Sequence, residues 1–169
     1  MKMTKEFHQQ IKLKGENNMA IKFSRSSDKY GCFSNFTHCK VTFGGITYSN
    51  TEAAWQAQKT LNENERKQFA TLNPSEAKKL GRKVNLRQDW EEVKYQLMVE
   101  VCYEKFKNSE KFREVLLSTG NEEIIENTTG WHDNIWGSCE CPKCINKPGH
   151  NLLGKALMEV RDKLRNETE

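Results

Sequence analysis

The chain has 169 residues, 36% hydrophobic and 30% charged, with 27 Lys and Arg against 23 Asp and Glu for a net charge of +4. That composition suits one globular domain with a real core. No apolar run approaches the roughly 20 residues of a membrane span and the N-terminus lacks the apolar centre of a secretory signal, so a soluble, cytoplasmic protein is expected. The six cysteines are then expected to be reduced thiols or metal ligands rather than disulfides. A dedicated nucleic-acid-binding domain would be more basic.

Residues 1–18 are polar and lysine-rich without a clean apolar stripe, and Met19-Ala20 can itself be a start; a flexible tail followed by a domain over 19–169 is expected. Ile21 to Phe23 predicts a short strand and Ser24 to Gly31 a turn. In Tyr30-Gly31-Cys32-Phe33-Ser34-Asn35-Phe36, rings alternate with small and polar residues. Either Phe33 and Phe36 pack while Ser34 and Asn35 point elsewhere, or this is an ordinary strand with two polar residues facing water. Cys39 to Phe43 and Ile46 to Tyr48 flank Gly44-Gly45 as a hairpin leading directly into a helix.

Ser49 is a good N-cap for that helix, and Glu52, Trp55, Gln56 and Lys59 then share one stripe while Ala53, Ala54, Ala57 and Leu61 share another. An acid, an indole, an amide and an amine in line read as the wall of a site. Two roles fit Glu52: the N3 member of a capping box with Ser49, or a functional carboxylate that the helix N-terminus keeps ionised. Trp55 likewise fits a core position or a stacking platform.

Asn73-Pro74-Ser75-Glu76 predicts a capped helix that stops near Gly81 and places Arg82 and Lys83. Asp89 is expected to cap the longest helix, whose apolar stripe runs through Trp90, Val93, Leu97, Met98, Val101, Cys102 and Phe106. Ser109 caps a further helix, Ile124-Ile125 form a short strand, and Asn151 caps a last helix with Leu153, Ala156, Leu157, Val160 and Leu164 inward. Between them, Thr128 to Gly137 is a loop rich in tryptophan, of the kind that binds something. Its Asp133 can orient a hydroxyl, hold a water or make an Asx turn. Residues 58–113 hold 13 basic against nine acidic side chains, a net +4, and residues 114–150 hold two against six, a net −4. The middle segment can therefore face a phosphate-bearing ligand.

Cys139-Glu140-Cys141-Pro142-Lys143-Cys144 gathers three thiols, two of them at the Cys-x-x-Cys spacing zinc accepts, with His132 or His150 available as a fourth ligand. A structural zinc and a metal-free cysteine-rich loop both fit.

Five pieces occur in register: Gly31 to Phe36; Glu52 to Lys59; Gly81-Arg82-Lys83-Val84 with Asp89-Trp90; Asp133 to Gly137; and Asn151 to Met158 with Arg161. In these the chain resembles the NADAR family, also called YbiA-like, over about residues 20–165. The resemblance implies a mainly helical α+β domain with a small hairpin or sheet, acting as an N-glycosidase without a required cofactor. It implies two substrate classes, phosphorylated ribosylamino-pyrimidine intermediates of riboflavin synthesis and ADP-ribose attached to guanine in DNA. It places the catalytic set on Glu52, Lys59 and Asp133, and part of the binding set on Trp90, Trp136 and Gly137. Ser34, Asn35, Phe36 and Asn151 lie in its motifs, and Arg82 and Arg87 are candidates for phosphate. The Cys139–Cys144 insert and His150 depart from common members.

Cleaving an N-glycoside passes through an oxocarbenium-like state, which needs negative charge near the anomeric carbon, a poised water and help for the leaving nitrogen. Glu52 fits the first two tasks, Asp133 can hold ribose hydroxyls or share the base role, and Lys59 can bind phosphate, tune Glu52 or attack as an amine. Trp90 and Trp136 can sandwich the base. The competing classes are a non-catalytic module that binds ADP-ribose or a related nucleotide, and an interaction protein built on the cysteine knuckle.

Overall fold

Residues 19–167 are described by a computed structural model; the tail expected at 1–18 lies outside them. The chain runs through β1 (Ile21–Phe23), one 3₁₀ turn (Gly31–Phe33), the strands β2 (His38–Phe43) and β3 (Ile46–Asn50), and helices α1 (Thr51–Ala57), α2 (Glu63–Lys67), α3 (Pro74–Gly81), α4 (Trp90–Lys107) and α5 (Glu110–Leu117). Strand β4 (Ile124–Glu126) and helix α6 (Leu152–Asn166) complete it. The architecture is α+β and mainly helical, and none of the described helices is long and apolar enough to cross a membrane.

Two small sheets hold the helices in place. β1 pairs in parallel with β4, Ile21 opposite Ile124 and Phe23 opposite Glu126. β2 and β3 form the antiparallel hairpin predicted by Gly44-Gly45, both of which take positive φ (57° and 80°) as a tight primed turn requires. The Tyr30–Phe36 segment is not a strand: its 3₁₀ turn buries Phe33 against Phe23 and Phe106, leaving Ser34 and Asn35 to face elsewhere.

One apolar core gathers α4, α6 and the β1/β4 pair around Phe33, Phe106, Ile124, Leu153 and Leu157; a second places Ala53, Ala54 and Ala57 of α1 against Tyr48, Phe69 and Ala77. The alanine face of α1 is buried as its spacing predicts, whereas Leu61, four residues past the helix, is 68% exposed because the chain turns after Gln58. Lys105 is buried in the first core. Its Nζ donates to Ser34 O at 2.9 Å and lies 5.3 Å from the Phe106 ring centroid, and burial lowers its pKa.

Five helix starts were legible in the sequence, and two of them are capped as expected. Asn73 and Glu76 form a reciprocal capping box on α3, and Ser109 accepts from Phe112 N–H on α5. At α1 the cap is Asn50, one residue later than Ser49: Asn50 Oδ1 accepts from Ala53 N–H at 2.8 Å while its amide donates to Leu72 O. Ser49 remains in β3, bonded to Ala70 O. Glu52 is thus an N2 residue and forms no capping box. Asp89 precedes α4 without capping it, because its carboxylate is held by Arg87 in a two-pronged ion pair. Asn151 precedes α6 in a left-handed conformation (φ 52°) and makes no side-chain cap either. The N–H groups of Asn151, Leu152 and Leu153 donate instead to the carbonyls of Gly137, Ile135 and Trp136.

Replacing Asn50 by Ala removes both the cap of α1 and the tie to Leu72, so Asn50→Ala should lower unfolding free energy by about 1–2 kcal/mol in urea titrations. A change indistinguishable from zero would return the cap to Ser49.

Candidate functional site

The short helix α1, the Ser34–Phe36 turn, α3 and the 128–137 loop enclose a cavity of about 710 Å³. Three carboxylates line it, Glu52, Glu126 and Asp133, together with four cations, Arg25, Lys59, Lys78 and Arg82. Phe36, Trp55, Trp131 and Trp136 supply aromatic surface.

Glu52 is only 6% exposed. Its Oε1 accepts from Gln56 Nε2 at 2.8 Å, one turn along α1, and its N–H donates to Asn35 O at 3.1 Å, which pins the helix to the Ser34–Phe36 turn. Burial raises its pKa, and the Gln56 bond and the Lys78 and Lys59 charges only partly counter this. Burial thus works against the helix N-terminus, which favours the ionised form of Glu52. Lys59 follows α1 through two tight turns, its N–H on Gln56 O. Its Nζ lies 5.7 Å from the ring centroids of both Trp55 and Trp90, and burial lowers its pKa against the opposing pull of Glu52.

Asp133 comes from the far loop. Its Oδ1 accepts from Ile135 N–H at 2.8 Å and Trp136 N–H at 2.9 Å, so it makes an Asx turn and lines the cavity at once. Trp136 stands edge-on to Trp55, ring centroids 4.9 Å apart. Phe36 carries Arg25 and Lys78 near its ring at 5.8 and 5.7 Å.

Of the residues singled out in the sequence, the structure gathers Ser34, Asn35, Phe36, Glu52, Lys59, Arg82, Asp133 and Trp136 around the cavity. Four others stand behind it. Trp90 is buried against Trp55 at 5.1 Å; Arg87 pairs with Asp89 and donates its N–H to Lys59 O. Asn151 spans Ile124 O and Glu126 N–H, bracing β4 beneath the cavity. Gly137 packs so closely on Thr128 and Glu126 O that a Cβ would collide with both.

Sequence reasoning missed Glu126, Arg25, Lys78 and Trp131 as lining residues. Glu126 ends a three-residue strand, where a lone acid reads as a solvated edge. In the fold, burial followed by the charges of Asp133 and Glu52 pushes its carboxyl up to about 7. Gln56 stood on the predicted stripe, and its partner there is Glu52, one turn back. Beside the cavity, His132, Cys139, Cys141 and Cys144 turn their donor atoms to one another, all within 4.8 Å, a set able to hold a metal ion. His150 is not in that set; its N–H donates to Asn134 O.

Carboxylates, cations and indole rings converging in one nucleotide-sized cavity on an α+β scaffold make this the pocket of an enzyme rather than of a structural domain. The family model described as the NADAR domain matches residues 22–165, and the chain belongs to that family. A Nostoc punctiforme protein named an N-glycosidase is 39% identical over 154 residues, 88% of this chain and 94% of its own length. The Escherichia coli N-glycosidase YbiA is 36% identical over 147 residues, 85% of this chain and 88% of its own. The NMR structure of the E. coli protein YbiA aligns with a TM-score of 0.77 at 34% identity, covering 89% of this chain and 88% of that one. A Vibrio vulnificus riboflavin biosynthesis protein is 28% identical across 86% of this chain but only 38% of its own length.

Because Glu126 is raised from its ordinary 4.5 to about 7, the folded protein keeps a proton that the unfolded chain gives up across that window. Its contribution therefore favours the folded state below the window and is lost as pH rises through about 7. Urea midpoints between about pH 5 and about pH 8 should fall less steeply for Glu126→Gln than for the parent. Equal slopes would place Glu126 in an ordinary solvated setting.

Proposed function

We propose that this chain hydrolyses the bond between a ribose anomeric carbon and a base or amine nitrogen in a phosphate-bearing ribosyl compound. The observation that carries the reading is the division of the cavity: three carboxylates, one of them almost wholly buried, share it with four cations and a wall of aromatic rings. An oxocarbenium-like state needs anionic groups at the sugar, the cations suit phosphate, and the rings suit a planar base.

In this mechanism the C–N bond breaks, the nitrogen takes a proton and water delivers hydroxide to the anomeric carbon. Glu52 and Asp133 approach from different elements and divide the tasks of stabilising the cation, activating the water and holding ribose hydroxyls. Glu126, half-protonated near neutral pH, is suited to protonate the departing nitrogen. Lys59, drawn toward its neutral form by burial and set beside Glu52, contacts the ribosyl group or its phosphate, with Arg25, Lys78 and Arg82 completing the anion site. Trp136, Trp131 and Phe36 offer faces to the base, with Trp90 supporting from behind Trp55. The cysteine–histidine cluster stands outside this chemistry, since none of its four residues lines the cavity.

Two substrate classes fit that chemistry, a phosphorylated ribosylamino-pyrimidine of riboflavin synthesis and ADP-ribose on guanine of nucleic acid. The first gains support from the Vibrio relative named for riboflavin biosynthesis. A module that merely retained a nucleotide needs no carboxylate at the anomeric carbon, whereas hydrolysis through an oxocarbenium-like state does.

Product analysis on both substrates side by side tests the reading: free base or amine and free ribosyl product are expected from at least one. Glu52→Gln should lower kcat by about 10²- to 10⁴-fold with the fold intact by circular dichroism, and Asp133→Asn should also reduce it. Full turnover in both variants, or ligand retention without product, would sink the mechanism. Borohydride during turnover separates the roles of Lys59: a trapped adduct makes it a nucleophile, and none confines it to charge and positioning.

A further inference from the structure

The insert that follows the aromatic loop brings three thiols and one imidazole to a single point. His132 Nδ1 lies 3.3 Å from Cys139 Sγ, 3.3 Å from Cys141 Sγ and 3.8 Å from Cys144 Sγ, and all four donor atoms fall within 4.8 Å of one another. All three cysteines are free thiols. A tetrahedral zinc ion at about 2.3 Å from sulfur and about 2.0 Å from nitrogen sets its ligands about 3.5–3.8 Å apart. The nitrogen–sulfur separations are close to that size, and the four donors, none more than 4.8 Å from another, need draw in only slightly around an ion. Thiols are weak hydrogen-bonding groups, so three of them gathered on one imidazole nitrogen have little mutual attraction of their own. Magnesium and calcium prefer oxygen ligands, whereas a three-thiolate, one-imidazole set suits zinc.

The backbone around the point is shaped to the same end. His132 takes φ +58°, a left-handed conformation uncommon in non-glycine residues. Cys144 N–H returns to Cys141 O at 2.9 Å, closing the Cys-Pro-Lys-Cys knuckle. Cys139 N–H is held by Asn134 Oδ1 at 2.8 Å, and Glu140 both receives Lys22 of β1 in an ion pair and gives its N–H to Thr129 Oγ1.

We infer that His132, Cys139, Cys141 and Cys144 form a structural zinc centre whose task is to fix the cavity wall that carries Asp133. Binding Zn²⁺ releases one proton from each of the three thiols to solvent and leaves a closed four-donor shell with no open position for substrate. The placement in the chain gives the centre its effect. His132 and Cys139 bracket residues 133–138, so the metal ties both ends of the stretch holding Asp133 and Trp136. Besides the metal, that stretch is held by backbone bonds from Asn151, Leu152 and Leu153 and by Glu126 and Thr128, which bond Ser138 and Asp133 O.

The test uses the full chain purified under reducing conditions, with metal content measured by plasma mass spectrometry. One zinc per chain is expected, lost in Cys141→Ser and in Cys144→Ser and kept in Cys32→Ser. Cobalt(II) added to chelator-stripped parent protein should produce thiolate-to-cobalt charge transfer with the visible bands of tetrahedral geometry. Stripping should lower the melting temperature and raise acrylamide quenching of the loop tryptophans, with readdition of zinc restoring both. Because the parent protein carries these last measurements, a variant that fails to fold does not leave the matter open. Metal-free protein with no cobalt spectrum in the reduced state, zinc retained by the Cys141→Ser/Cys144→Ser double variant, or a Cys141–Cys144 disulfide in freshly isolated protein would each overturn the assignment. None of these readouts requires turnover, so the metal centre and the hydrolytic reading stand or fall separately.

Discussion

The Gln56 amide reaches Glu52 Oε1 at 2.8 Å inside a wall where the carboxylate is almost wholly withdrawn from water, and much of the surrounding structure serves that one contact. A buried carboxyl is tolerated only when donors and nearby charge offset its lost hydration. Gln56 can supply its amide because Gly81, at the end of α3, has no Cβ; any larger side chain there would collide with the Gln56 Oε1 atom. α3 in turn is placed by the Asn73–Glu76 capping box and by Ala77 packed among the α1 alanines. The small residues of α1, read from sequence as a packing face, are also what allow α3 close enough to press Gln56 onto Glu52.

Two lysines show why burial alone does not identify a functional amine. Lys59 and Lys105 both have their pKa values lowered by desolvation. Lys105 gives its Nζ to Ser34 O in the middle of the core, with Phe106 and Phe112 nearby, and so holds the turn carrying Asn35 against α4. Lys59 is only half-buried and faces the cavity, near Glu52 and the cations Arg82 and Lys78. Access to a cavity separates the two amines, and access is a property of the fold that no local pattern encodes.

The same distinction governs what could be read from the chain. The hairpin, the α3 box, the α1 alanine face and the inward stripe of α6 were legible because each follows from spacing or turn chemistry within a few residues. Ser49 and Asn50 are both good caps by type. The choice between them is made by Ala70 and Leu72, 21 and 22 residues further on: Ala70 O holds Ser49 in the strand, and Leu72 O holds the Asn50 amide so that its Oδ1 caps. Asp89 is likewise diverted by Arg87, and Trp90 is drawn into the core by Trp55. Glu52, Lys59 and Asp133, picked out by the motifs they stand in, line the cavity. Glu126 was not, since its high pKa arises from burial beside two carboxylates that are distant in sequence.

Asn151 shows how the cavity floor and the last helix become one unit. Its left-handed backbone lets the first N–H groups of α6 meet the carbonyls of residues 135–137, so the helix start needs no side-chain cap. The freed amide then bonds Ile124 O at 2.8 Å and Glu126 N–H at 3.1 Å. Gly154, one turn on, lies so close to Ile124 O and to the Asn151 amide that no Cβ fits. The loop bearing Asp133 and the strand bearing Glu126 are therefore both fastened to α6, one through backbone carbonyls and the other through a single asparagine. Two of the three cavity carboxylates thus share a rigid support, while Glu52 is set by α1 and its contacts with Asn35 and Gln56. A change in the angle between α1 and α6 would alter the distance between these carboxylates without disturbing either support, and in an N-glycoside site that distance decides whether a water or the sugar itself meets the attacking carboxylate.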